Sequence, residues 1–183
     1  MTDTGPRLIV LAGDHSFVCP RTRDSVAGRL RRLLRAMGRS DVAVLDASRV
    51  GTSRAVIRGA NDILPSIPRN MFERVDLVIS ASVGDLSGGG KAPREWLESI
   101  EGFRDTAAIF GIETSLLAFR LADSEHDKRT RRWHRRIANE IAGSSLPIVW
   151  HDANGWKEPT DPGDIAAHAI AREIYGAVLV DGD

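Results

Sequence analysis

Four short segments of this 183-residue chain gather side chains able to handle protons or anions. The first is Gly13-Asp14-His15-Ser16. His15 offers an imidazole, the commonest acid or base near neutral pH. Ser16 offers a hydroxyl, and Asp14 suits a turn in which a carboxylate bonds nearby backbone. The second segment is Ser48-Arg49-Val50-Gly51-Thr52-Ser53, small and polar around a glycine. The third is Ser82-Val83-Gly84-Asp85, which runs on to Gly88-Gly89-Gly90-Lys91. A phosphate loop would need glycine where Asp85 stands and serine or threonine where Ala92 stands, so this stretch reads as an active-site loop with Lys91 open to an anion. The fourth is Glu158-Pro159-Thr160-Asp161-Pro162, with two carboxylates ahead of a helix start. Asp161 followed by Pro162 also fits a helix cap with proline in the first turn.

Asp14 and Asp85 together would suit a hard cation. The turn role of Asp14 is the simpler reading, and no metal is expected. His151-Asp152 is a weaker pair, because neighbours on a strand point to opposite faces. His168 falls in an Ala-rich helix and reads as packed or partly exposed. The run from His126 to Arg136 is strongly basic. Its ordinary meaning is a solvated helix face, although arginines also suit carboxylate, sulfate and phosphate, on a substrate or an acidic partner.

These segments need elements to hold them. Apolar runs at 8–13, 42–47, 75–83, 113–120 and 146–151 show little polar alternation, as strands buried on both faces do. Between them lie helical patterns. From Asp24 to Met37 the stripe Val26, Leu30, Leu33, Leu34 and Met37 has the 3.6-residue period, with Gly38 as a stop. From Pro93 the pattern gives one or two helices, with Gly102 a candidate break. Glu125 to Ala142 carries Trp133, Ile137 and Ile141 inward. Pro162 to Tyr175 buries Ile165, Ala169 and Ile170. Alternation of this kind predicts a single α/β domain, a three-layer α/β/α sandwich around a mostly parallel five-stranded sheet. In open α/β sheets ligands bind beyond the carboxyl ends of the strands, and the four segments all follow predicted strands or precede the last helix.

Composition narrows the classes. Apolar residues make up 42% and charged residues 27%, as in soluble globular domains. The 25 basic and 25 acidic residues cancel, which argues against a nucleic-acid binder. Cys19 is the single cysteine, so neither an intrachain disulfide nor a multi-cysteine metal site is possible. No apolar run approaches the ~20 residues of a membrane span, and the polar start lacks a secretory apolar core. A cytoplasmic protein without membrane partners is expected. No cofactor is expected either, because the first strand lacks the dinucleotide glycine fingerprint.

The order of the four segments resembles the SGNH (GDSL-type) esterase and acyltransferase superfamily. That family carries Gly-Asp-Ser after its first strand, a glycine block after the second, Gly-x-Asn-Asp after the third, and Asp-x-x-His-Pro before its last helix. The resemblance spans nearly the whole chain, including RIANEIAG before the fifth strand and IAREI in the last helix. Gly51, Asp85 and Pro162 agree with it. The reactive positions do not: His15 stands at the nucleophile, Gly84 at the oxyanion asparagine, Asp161 at the catalytic histidine and Glu158 at the triad aspartate.

The resemblance therefore implies an SGNH-hydrolase-like scaffold with an altered site. On that scaffold His15 would face Asp161, with Glu158 near. A carboxylate beside an imidazole fixes its tautomer and stabilises its protonated form, which suits proton transfer rather than acyl transfer. Backbone N–H groups of His15 and Gly51 would receive an anion, with Thr52, Ser53, Gly84, Asp85 and Lys91 around the substrate. The leading expectation is an acid–base enzyme acting on an anion-bearing small molecule: elimination, isomerisation or ring closure, such as aziridine formation in specialised metabolism. One alternative is a catalytically dead binding subunit of a heteromeric enzyme. Another is an esterase or acyltransferase using Ser16.

Overall fold

Five strands, Arg7–Gly13 (β1), Val42–Asp46 (β2), Arg74–Ser80 (β3), Ile112–Arg120 (β4) and Ile148–Asp152 (β5), form one sheet in the order β2-β1-β3-β4-β5. Every neighbouring pair is parallel. The computed structural model describes residues 5–13, 25–49, 53–80, 93–120, 128–152 and 163–180.

Among the described residues five helices connect and follow the strands: Val26–Ala36 (α1), Ser53–Ile63 (α2), Pro93–Ile109 (α3), Lys128–Ala142 (α4) and Gly163–Leu179 (α5). Helices α2, α3 and α4 cover one face, where Val10, Leu77, Leu116, Trp96, Ile100, Ile137 and Ile141 form a core. Helices α1 and α5 cover the other, with Ile9, Leu11, Val78, Leu117, Leu30, Ile170 and Ile174. The chain runs outward from β1 to β2, then reverses past β1 to β3, and the covering helix changes face with the reversal. That is what a single crossover hand requires. The expected three-layer sandwich is present, and its sheet is wholly parallel.

Local chemistry explains the element ends. Ser25 caps α1, its hydroxyl accepting from Gly28 N–H at 3.2 Å. The helix closes at Gly38, whose φ of 71° is open to glycine at little cost. The N–H of Arg39 then reaches back to the Leu34 carbonyl at 2.9 Å.

The structure corrects several expectations. Met37 is 56% exposed, because it sits at the end of α1 where the stripe leaves the sheet. Gly102 lies inside the continuous helix α3, since its neighbours Ile100 and Phe103 are anchored in the core. Helix α5 runs to Leu179, beyond the expected end at Tyr175. Helix α2 and two single 3₁₀ turns, Leu64–Ser66 and Arg69–Met71, fill a stretch where no helix was expected. Val56, Ala60 and Leu64 keep the i, i+4, i+8 spacing and are buried, while Gly59 and Asn61-Asp62 are weak helix formers that lower the local propensity. The stripe residues Trp133 and Ile165 have side chains outside the described residues.

Candidate functional site

Parallel strands send all their carboxyl ends to one edge. Segments 14–24, 50–52, 81–92, 121–127 and 153–162 therefore leave that edge and lead into the amino ends of α1 to α5. Each amino end presents N–H groups without helical partners, and together they favour negative charge.

At this edge Gly13 pairs with Ser80 across β1 and β3, and Ser80 is fully buried. The chain beyond β2 stays in register with β1. Ala47 N–H donates to the Leu11 carbonyl and Arg49 N–H to the Gly13 carbonyl, both at 2.8 Å. Ser48 N–H donates to Asp46 Oδ1 at 3.1 Å, an Asx turn that starts the path toward Gly51. Arg49 brings a cation to this edge. Its side chain lies over Gly59 of α2, where an added Cβ would fall 2.9 Å from Cδ and Nε.

The sheet order puts β1 beside β3 and three places from β5. Strands lie ~4.8 Å apart, so the ends of β1 and β5 are separated by roughly 14 Å. The ten-residue stretch 153–162 can span that gap, because extended chain covers ~3.3 Å per residue. Helix α5 then packs beside α1 on the same face. The segment holding His15 thus leads into α1, and the segment holding Glu158 and Asp161 leads into its neighbour.

His15, Asp14, Ser16, Gly51, Thr52, Gly84, Asp85, Lys91, Glu158 and Asp161 lie outside the described residues. Ser53 is the first residue of α2, and its side chain is likewise outside them. Among the described residues no group of three or more His, Cys, Asp or Glu could hold a metal.

Two groups gain a role that residue patterns did not assign. His151, near the carboxyl end of β5, is 3% exposed. Its Nδ1 lies 2.8 Å from Glu173 Oε2 of α5, and Phe119 of β4 meets the imidazole edge-on at 6.0 Å. Burial pushes the Glu173 carboxyl above its ordinary range, while His151 pulls it back. His151 is thus paired with Glu173, on the helix facing it. The signal for Glu173 was its place beside Ile170 and Ile174 on the inward stripe of α5. On the other face, Trp96, Ala118, Ile137 and Trp150 line an apolar crevice of about 10 Å³, room for about one water molecule. His168 is exposed. Among the described residues no helix is long and apolar enough to cross a membrane.

No protein-family model matches the chain, and no curated protein matches its sequence. Solved structures match its fold. The psychrotrophic esterase EstA from Pseudoalteromonas sp. superposes with a TM-score of 0.70 at 14% identity, over 93% of this chain and 96% of that one. The acetyl xylan esterase AlAXEase gives 0.71 at 13% identity, over 94% and 100%. AlinE4, an SGNH-hydrolase family esterase, gives 0.59 at 20% identity, over 79% and 75%. The architecture is SGNH-hydrolase-like.

Proposed function

We propose that this protein is an acid–base enzyme for an anion-bearing small molecule, working at the carboxyl edge of the sheet through His15 and Asp161. The supporting observation is the packing of α1 against α5, which brings together the helices that these two segments enter. The replaced nucleophile and histidine positions favour proton transfer over acyl transfer.

The chemistry follows from the groups. Asp161 holds the imidazole tautomer, and His15 takes a proton from a substrate N–H or C–H. In ring closure the nitrogen lone pair forms the new N–C bond as the C–O bond to sulfate, phosphate or carboxylate breaks. The departing anion receives the electron pair and meets backbone N–H groups of His15 and Gly51, with Lys91 near. Aziridine formation in specialised metabolism is one reaction of this class.

A second reading is a binding subunit that has lost catalysis. It is favoured by the change of all four reactive positions of the SGNH pattern. A third is an esterase or acyltransferase using Ser16, favoured by the likeness of the fold to the esterases EstA, AlAXEase and AlinE4.

The test is complementation of a strain lacking the protein, with His15→Ala and Asp161→Asn variants of verified fold. The acid–base reading expects both to fail. Restoration by His15→Ala would support the binding subunit and overturn the enzyme. Fluorophosphonate labelling of Ser16, lost in Ser16→Ala, would establish the third reading in place of the first.

A further inference from the structure

Among the described residues the outer edge of β2 carries no further strand. Hydrogen bonding fixes which backbone groups face outward. Arg7 N–H donates to the Asp41 carbonyl, and Ala47 and Arg49 donate to β1, so odd-numbered residues bond the sheet. Val42, Val44 and Asp46 therefore turn their N–H and carbonyl groups away from β1.

A groove of about 360 Å³ runs between this edge and α1, lined by Arg31, Leu34, Arg35, Arg39, Val42 and Val44. Its charge is one-sided. Helix α1 gives the groove Arg31 and Arg35 and no acidic residue, in a chain whose formal charges cancel. Arg39 is matched by Asp41 at 3.0 Å. Arg31 donates to the Val44 carbonyl at 2.9 Å, a bond that leaves its charge unneutralised. Arg35 is exposed and makes no ion pair among the described residues.

We propose that this groove docks an extended acidic segment of a partner polypeptide, which adds to β2 as a sixth strand. The partner's backbone would satisfy Val42, Val44 and Asp46. Its carboxylates would take Arg31 and Arg35. Arg31 then exchanges a carbonyl for a carboxylate, and a charge-assisted bond is roughly twice as strong as a neutral one. A second copy of this chain fits poorly, because pairing β2 with β2 would set arginines against arginines. The proposal is independent of the chemistry assigned to His15.

The probe is a synthetic peptide of alternating glutamate and valine, added to the ¹⁵N-labelled full-length protein, with the lysine–valine peptide as control. The expected result is shifts of the Val42, Val44 and Asp46 amides and affinity that falls with salt. The Arg31→Glu, Arg35→Glu double variant, both sites being exposed, should bind the acidic peptide at least about tenfold more weakly, since each lost charge contact is worth roughly that factor. It should gain affinity for the lysine peptide. No binding, equal binding by the variant, or shifts confined to α4 would overturn the proposal. So would concentration-dependent dimerisation through β2 in the absence of peptide.

Discussion

The two ends of the strands are built from different contacts. At the amino end Arg7 of β1 donates through Nε to Asp76 of β3 at 2.7 Å, and both are nearly buried. Arg74 adds Nε to Asp76 Oδ1 at 3.0 Å and Nη2 to Glu113 of β4 at 2.6 Å. Arg7 also donates to the Val178 carbonyl at the end of α5. This row joins three strands and closes a helix terminus. At the carboxyl end the described charged groups include Arg49, leaning on α2, and the His151–Glu173 pair. Charges at the amino end are consumed by the fold. At the carboxyl end the described contacts are fewer, and the parallel topology directs the amino ends of the helices there.

The largest expected effect breaks the amino end alone. Asp76→Ala leaves the Arg7 guanidinium buried without its carboxylate and should cost about 3–5 kcal/mol, read by urea unfolding. The binding of anions at the carboxyl edge should be unchanged in the folded fraction. Replacing Arg7 and Asp76 together by Met and Leu should recover most of that loss, because a buried ion pair is often matched by apolar packing.

Between the two ends, Thr114 of β4 is buried, and its Oγ1 has no partner among the described residues. Thr114→Val removes a stranded hydroxyl at nearly constant shape and should stabilise by about 1 kcal/mol in the same assay.

The next effect sharpens the comparison through pH. Burial raises the Glu173 carboxyl above its ordinary 4.5, so over a window opening near that value the folded chain holds a proton that the unfolded chain releases. Stability must then fall as pH rises from 4.5 through the folded value. Glu173→Gln should remove that part of the slope, seen as a flatter plot of unfolding free energy against pH.

The smallest effect lies at the surface near the amino end. The Arg39 guanidinium holds Asp41 below its ordinary 3.8. Its contribution is present above that pH and is lost as pH falls through the lower folded value. Asp41 is partly exposed, so Asp41→Asn should cost about 0.5 kcal/mol or less at neutral pH.

The sheet was legible because its strands are rich in Val, Ile, Leu and Ala, as strands covered on both faces are, although the edge strand β2 leaves Ala43 and Leu45 exposed. Helix α1 was legible from its stripe and cap. Helix α2 was passed over although Val56, Ala60 and Leu64 keep helical spacing, because Gly59 and the Asn61-Asp62 pair give an eleven-residue stretch the composition of a loop. The Asp76 carboxylate inside an apolar strand was a visible oddity, but its partner Arg7 is 69 residues away in sequence, a contact no local pattern encodes. The same holds for His151 and Glu173, brought together across β5 and α5. Of the candidate site, the sequence supplied the residues and their order along the strands. The fold supplies the shared edge and the α1–α5 neighbourhood.

The most direct test of the His15–Asp161 pairing is the pH titration of the His15 imidazole by NMR in the wild type, in Asp161→Asn and in Asp76→Asn. The account predicts that Asp161→Asn lets His15 lose its proton at lower pH while Asp76→Asn leaves it unmoved. An imidazole that titrates identically in the wild type and in Asp161→Asn would contradict it.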